Sequence, residues 1–351
     1  MYKKAGILAK TMALLLYAVL TVTFFGACRT SPQTSFISDE FFAMDTFVTI
    51  KANTSDKTLL EEAEQEIRSI ESIFSVTESA GELSQINSSC SAQVSPLCAE
   101  ILTRVLEISE ATDGAFNPCM GQLRELWDVT GKQHIPTQDE LDAILPFCRA
   151  DAFTVDALTV TKEYPQPLLD LGAAVKGYAA EQAISLLRRK GVSDAMISLG
   201  GNIAVCGSAD ANGDGWQIGV RNPFFPDTVA GSFRCTDTVI AVSGDYERYF
   251  ERDGIRYHHI FDPNTGFPAD SGLKSTAVIS SDGLLADALS TALFVMGKEK
   301  ALSFYQSGLY DFEAILFTTD GKVVLTDGLR DKFTLFENAA FTENVPLVIE
   351  R

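Results

Sequence analysis

Apolar positions along this chain recur with two periods. From Asp56 to Phe74, Leu60, Ala63, Ile67, Ile70 and Phe74 follow one another at steps of three and four, which predicts an amphipathic helix opened by Ser55 or Asp56 as cap. Ile101, Leu102, Val105 and Ile108 predict a second helix over 98–112, stopped at Asp113-Gly114. A third is predicted from about Val175 to Lys190 and ended by Gly191, and a fourth from about Leu284 to Met296, followed by Gly297 and a further helix over 298–307. Strands are predicted at Phe47 to Ala52, Ala195 to Leu199, Trp216 to Arg221, Val239 to Val242, Tyr257 to Phe261, Ser275 to Ser280, Ala314 to Thr318 and Lys322 to Leu325. Asp320-Gly321 reads as a tight hairpin turn between the last two. The two element types are interspersed without regular βαβ alternation, so the pattern predicts an α+β fold: a mixed, mainly antiparallel sheet with flanking helices. No internal repeat or compositional break divides residues 39–351, which read as one large domain.

The N-terminus departs from both periods. Lys3, Lys4 and Lys10 precede an apolar run from Met12 to Phe25 and then Gly26-Ala27-Cys28, the layout of a secretory signal. About fourteen apolar residues are short of the roughly 20 that a membrane-spanning helix needs. Cys28 after two small residues resembles a bacterial lipobox, so residues 1–27 are expected to be a signal peptide and Cys28 the lipidated mature N-terminus. Residues 28–38, polar and with a Pro, are expected to be a tether. The expected location is the extracytoplasmic face of the cell membrane.

Charge narrows the partners. Lys plus Arg number 28 against 47 Asp plus Glu, a net charge of -19, which removal of three Lys with the leader takes to -22. A surface this acidic repels a phosphate backbone and argues against nucleic acid. An anionic small ligand would need helix dipoles, backbone amides or a metal cation at its site. None of the six cysteines beyond Cys28 falls in a C-x-x-C pair, so neither a zinc knuckle nor a thioredoxin-type site is supported.

Four segments carry chemistry-bearing residues. Leu168 to Tyr178 (LLDLGAAVKGY) reads as a strand leaving into a Gly-containing turn and a helix, with Asp170 and Lys176 flanking a helix N-terminus suited to phosphate or metal. Taken alone it also describes a capped strand-to-helix connection. On the ADALSTALF helix, Asp287, Ser290 and Thr291 share one face, and hard oxygens without a nearby His suit Mg²⁺ rather than zinc. The third segment runs through Ser243-Gly-Asp-Tyr246 to Arg256-Tyr-His-His-Ile-Phe-Asp-Pro-Asn-Thr-Gly266, and on a strand His258 and His259 point to opposite faces. The fourth, Thr112 to Pro118 with Leu126-Trp127 after it, brackets Phe116 as a wall for a planar ring or as a packed corner. His134 lies in a polar loop and gets no role. No P-loop or convincing G-x-G-x-x-G is present.

In this order the segments AMDTFVTI, FSVTESAGELSQIN, TDGAFNPCMGQLRELW, LDLGAAVKGYA, SLGGNIAVCG, WQIGVRNP, AVSGDYERYFERDGIRYHHIFDPNTGFPA and ADALSTALFVMG resemble the ApbE family, the FAD:protein FMN transferases, over about residues 43–300. The lipobox fits, because many members are exported lipoproteins. The resemblance implies a single ApbE-like domain and Mg²⁺-dependent transfer of FMN from FAD, as substrate, to a Ser or Thr hydroxyl of an acceptor protein, such as a subunit of a membrane redox complex, with release of AMP. It implies metal ligation by Asp287, Thr291 and the carbonyl of Ala173, with Ser290 as a weaker or water-mediated ligand. It places the flavin dinucleotide near Met44, Ala115, Phe116, Asn117, Asp170, Lys176, His259 and Ile260. His259 is the candidate proton acceptor, with Asp245 and Asp262 as fallbacks or orienters.

Three positions depart from the family pattern. Asp45 stands for the usual Gly, Asn117 for a common Asp, and Thr77 for a flavin-stacking Tyr, leaving Tyr246 or Phe116 as alternative rings. Two other readings use the same residues. One is an exported Mg²⁺-dependent FAD pyrophosphatase, in which water replaces the acceptor hydroxyl; the other is a flavin-binding lipoprotein without turnover.

Overall fold

The computed structural model describes residues 35–210, 212–336, 340–342, 345–346 and 348–350. The signal peptide, Cys28 and most of the tether lie outside the described residues. Among the described residues no helix is long and apolar enough to cross a membrane.

Nine strands form one sheet: β1 (Phe36–Ala43), β2 (Thr46–Asn53), β3 (Ala195–Leu199), β4 (Asn202–Cys206), β5 (Thr238–Gly244), β6 (Leu273–Ser280), β7 (Glu313–Thr318), β8 (Lys322–Leu325) and β9 (Val348–Glu350). Their spatial order is their chain order, and every neighbouring pair is antiparallel except β8 with β9. The α+β class read from the sequence is the one observed.

Side chains alternate between the two faces of the sheet, as the pleat requires. Val48, Ile50, Ile197, Leu199, Val239, Ala241, Val278 and Leu316 face a core shared with the helices. Ile240, Ala277, Ile315 and Phe317 face the opposite side, where they pack on Trp216, Ile218 and Phe233 of a hairpin built from Trp216–Arg221 and Val229–Cys235. A sheet apolar on both faces must be covered on both, so insertions between successive strands return to cover it.

The helices are α1 (Thr58–Phe74), α2 (Glu82–Ser88), α3 (Pro96–Ala111), α4 (Gly121–Trp127), α5 (Gln138–Ile144), α6 (Val175–Arg189) and α7 (Gly283–Gln306). The buried residues of α1 are Leu60, Ala63, Ile67, Ile70 and Phe74, the stripe the periodicity predicts. Gly297 breaks α7 with φ +75, and a Cβ there would lie 2.7 Å from the carbonyl oxygen of Ser271. A satellite core holds Leu123, Trp127, Leu141 and Phe261, with the Trp127 indole N–H donating to the Gly266 carbonyl at 2.8 Å.

Three sequence expectations change. The folded domain begins before residue 39, because Phe36 to Ser38 already pair with Lys51 to Asn53 in β1. The run at 257–261 is not one strand: the strand is Ile255–His258 and ends at the first His. Leu168 to Leu171 belongs to no sheet, because its polar backbone bonds elsewhere. Asp170 N–H donates to the Pro118 carbonyl at 2.8 Å and the Leu168 carbonyl accepts from Gly121 N–H at 3.1 Å.

Candidate active site

A cavity of about 650 Å³ opens where the N-termini of α6 and α7 meet the β1–β2 hairpin. Two walls of different construction bound it.

The first wall is a helix crossing set by glycine. A Cβ on Gly177 would lie 2.1 Å from the carbonyl oxygen of Gly283, and one on Gly283 would lie 2.2 Å from that of Gly177, so the backbones touch. At this approach each helix caps the other. Asp287 of α7 accepts the Gly177 N–H at 3.0 Å, and Glu181 of α6 accepts the Gly283 N–H at 2.8 Å. Each carboxylate answers an orphan amide and the positive end of a helix dipole. Burial pushes the Glu181 carboxyl above its ordinary pKa. Asp287 is 4% exposed, yet it lines the cavity together with Thr291 and Ala173.

The turn leading into α6 is fastened from behind. The Lys162 ammonium donates to the carbonyls of Asn87, Pro165 and Pro167 at 2.7, 2.9 and 3.1 Å, and burial lowers its pKa. Asn87 bonds both backbone groups of Leu169. Asp170 accepts Gly172 N–H at 2.8 Å and pairs with Arg124 at 2.6 Å, while the Lys176 ammonium donates to the Gly172 carbonyl. Asp170, Lys176 and Arg124 all line the cavity.

The second wall is hairpin and loop. Only Met44 and Asp45 separate the paired residues Ala43 and Thr46, and both have positive φ, 52° and 58°. A two-residue turn of this kind favours Gly, Asn or Asp, which accounts for Asp45 where Gly is common and leaves Met44 as the strained member. Glu71 of α1 holds that member by accepting the Met44 N–H at 2.6 Å. Arg248 approaches from the other side, its guanidinium donating to the Asp45 carbonyl at 3.4 Å.

Arg248 also orients His259. Its carbonyl accepts the His259 backbone N–H at 3.1 Å and lies 3.2 Å from Nδ1. A carbonyl can only accept, so the contact places the proton on Nδ1 and leaves the Nε2 lone pair free. The ring stands open to the cavity yet deep among protein atoms. Desolvation, the Arg248 guanidinium, His258 and Lys176 push its pKa down to about 3. His258 faces the other way, buried edge-on against Phe294.

The other sequence candidates divide. Met44, Ala115, Phe116, Asn117, Asp170, Lys176, Ala173, Ile260, Asp287 and Thr291 all line the same cavity as His259. Ser290 does not: it is 0% exposed and its hydroxyl donates to the Asp287 carbonyl at 2.8 Å. On a helix packed this closely, neighbours in sequence diverge by about 100° around the axis, which parts Ser290 from Thr291. Asp245 is paired with Lys274 at 2.6 Å and Asp262 accepts from Asn264, both outside the cavity lining, so neither fallback faces the site. Asn117 donates to the Cys148 carbonyl and accepts from Cys119 N–H, each at 2.8 Å; a carboxylate could not make the first bond.

The two alternative rings are also corrected. Phe116 is 1% exposed and Tyr246 is 7% exposed and outside the lining, so neither offers a free face. Glu71, Glu181, Ser243 and Arg248 bond to residues of the site, and the sequence reading gave none of them a role, although Ser243 and Arg248 lie in its third segment. Their signal is tertiary: each acts on a residue distant along the chain.

Among the described residues no cluster of three or more His, Cys, Asp and Glu exists. One carboxylate, one hydroxyl and one carbonyl instead fit Mg²⁺, which takes few protein oxygens and shares the rest of its shell with water and substrate phosphates.

The chain is 32% identical over 294 residues to the FAD:protein FMN transferase of Klebsiella pneumoniae, covering 82% of this chain and 90% of that one. It is 34% identical over 256 residues to the FAD:protein FMN transferase of Treponema pallidum, covering 68% and 70%. Among solved structures, the ApbE protein of Thermotoga maritima superposes with a TM-score of 0.78 at 30% identity, covering 85% of this chain and 99% of that one. The flavin transferase ApbE of Vibrio cholerae gives a TM-score of 0.73 at 26% identity, covering 88% and 98%. Residues 44–316 match the profile of the ApbE family, and the chain belongs to that family.

Proposed function

We propose that this enzyme transfers FMN from FAD to a Ser or Thr hydroxyl of an acceptor protein and releases AMP. The observation that carries the reading is the convergence, in one cavity, of the oxygens of Asp287, Thr291 and Ala173 with a neutral His259 whose Nε2 is free.

The acceptor oxygen attacks the FMN phosphorus. A new phosphorus–oxygen bond forms, the pyrophosphate bond to AMP breaks, and the hydroxyl proton passes to His259 Nε2. A hydroxyl is a weak nucleophile, and the Nε2 lone pair of His259 is available to take its proton. Charge grows on the phosphoryl oxygens and on the leaving AMP phosphate. Lys176 and the amide end of α6 face that charge from the first wall. Asp287, Thr291 and the Ala173 carbonyl would hold Mg²⁺, which would neutralise pyrophosphate oxygens in an otherwise acidic protein. Water in place of the acceptor would give hydrolysis from the same arrangement.

The test is incubation of the protein with FAD, Mg²⁺ and an acceptor domain, followed by mass spectrometry. A gain of one FMN on the acceptor is expected. Free FMN and AMP with an unmodified acceptor would overturn transfer in favour of hydrolysis, and unchanged FAD would leave only a flavin binder. We further propose export and lipid anchoring at Cys28, for which Cys28→Ser should move the protein from the membrane fraction to the soluble fraction. Retention of that variant on the membrane would refute the anchor.

A further inference from the structure

We infer that Ser243 and Ser290 fix the direction of a hydrogen-bond chain that turns the lone pairs of Thr291 toward the cavity, which makes Ser243 a positioning residue for the cation. This rests on the reading above, in which Asp287 and Thr291 hold Mg²⁺.

The argument starts from a group that can only accept. The Asp287 backbone carbonyl lies 2.8 Å from Ser290 Oγ, so Ser290 spends its single proton there. Ser243 Oγ is 2.8 Å from Ser290 Oγ, and with the Ser290 proton already committed, Ser243 must be the donor of that bond. Ser243 Oγ is also 3.1 Å from Thr291 Oγ1. Having given its own proton to Ser290, Ser243 can only accept, so the Thr291 proton points at Ser243. Reversal of the chain would require a carbonyl to donate. Thr291 lines the cavity, and its oxygen therefore meets the cavity with lone pairs alone, as a cation ligand must.

The three hydroxyls are held in register by strands from the sheet. Ser275 on β6 donates to the Ser243 carbonyl at 3.0 Å, and Thr276 beside it donates to the Ser290 carbonyl at 2.5 Å. Ser243 is 9% exposed and Ser290 and Thr276 are 0% exposed, so protein groups supply most of the partners of these hydroxyls. A buried hydroxyl chain with one acceptor-only end has a single low-energy polarity, and partners of this kind tune metal affinity from behind the ligands.

The experiment is a titration of Mg²⁺ into FAD-saturated protein without acceptor, followed by calorimetry and by the Mg²⁺-dependent rise in Tm. Ser243→Ala should weaken Mg²⁺ binding about 10- to 100-fold. Thr291→Val should weaken it comparably, and the double variant should be no worse than Thr291→Val, because Ser243 acts through Thr291. Unchanged Mg²⁺ affinity in Ser243→Ala, or losses that add in the double variant, would overturn the inference and leave the metal reading standing. Unchanged affinity in Thr291→Val would overturn the metal reading and the inference with it. Should Ser243→Ala fail to fold, Ser290→Ala removes the next link and should still weaken Mg²⁺ binding by about 3-fold or more; no change there would equally overturn the chain.

Discussion

The two walls of the cavity solve the same problem, presenting polar groups to one space, by opposite means. The helix-crossing wall is backbone geometry. Gly177 and Gly283 let two helix N-termini touch, and Asp287 and Glu181 each cap the partner helix, so the wall has almost no freedom to vary. The hairpin wall is assembled from side chains. Glu71 and Arg248 hold a two-residue turn, Asn117 shapes a loop, and His259 is oriented by one carbonyl. The first wall should therefore fail sharply when altered, and the second should be adjustable in steps.

Asp287→Ala tests the first half of that statement with the largest expected effect. It removes the proposed cation ligand and uncaps α6 at once, so activity should fall on the order of 10³-fold and no longer respond to Mg²⁺. Activity that still titrates with Mg²⁺ would refute the assignment. Gly177→Ala adds only a methyl, but it would sit 2.1 Å from the Gly283 carbonyl oxygen. The helices must separate, at a cost of about 1–3 kcal/mol or more, seen as a lower Tm together with weakened Mg²⁺ binding. A variant with unchanged Tm would show that the crossing is looser than its geometry states.

The same contrast explains what could be read from the chain in advance. Asp287 and Thr291 share a helix face by spacing alone, and Gly172 to Lys176 mark a helix N-terminus, so the first wall was largely visible in one dimension. Glu181 was not, because nothing within α6 says which amide an outward carboxylate will meet. Ser290 was placed too near the cavity because the helical face was drawn too wide. The β1 strand was missed since it is an edge strand whose Asp39 and Glu40 are exposed, which blurs the alternation. Glu71 meets Met44 only through tertiary packing, whereas Arg248 and His259 meet locally, as the residues that flank the short hairpin of Tyr249–Arg252 and Ile255–His258.

His259→Ala probes the second wall with an intermediate effect. Loss of a positioned base should slow transfer about 10²- to 10⁴-fold while FAD binding is kept, measured by single-turnover kinetics and FAD titration. Full transfer activity would remove His259 from the mechanism. The pH profile refines this. With the imidazole pushed down to about 3, the free enzyme keeps a neutral base as pH falls, and the acid limb of kcat/KM should lie well below 6.5. Arg248→Met removes a cation from beside the ring, so protonation becomes easier and the limb should move up in pH, by about one unit or less. A limb that stays in place would mean that the Arg248 charge has no part in the shift.

The smallest effect should come from Thr77, an exposed residue at the cavity edge just beyond the C-terminus of α1. Phe116 and Tyr246 are buried, at 1% and 7% exposed, so neither ring gives the cavity a free aromatic face for a flavin to stack on. Thr77→Tyr supplies one. Ring stacking of about 0.5–1.5 kcal/mol corresponds to roughly 2- to 12-fold in affinity. The ring lies remote from the phosphorus under attack, so the added contact is equally strong in ground and transition states. It should lower KM for FAD by that factor and leave kcat alone. A changed kcat would mean that residue 77 also governs how the phosphorus is presented, which would make the side-chain wall as constrained as the glycine wall.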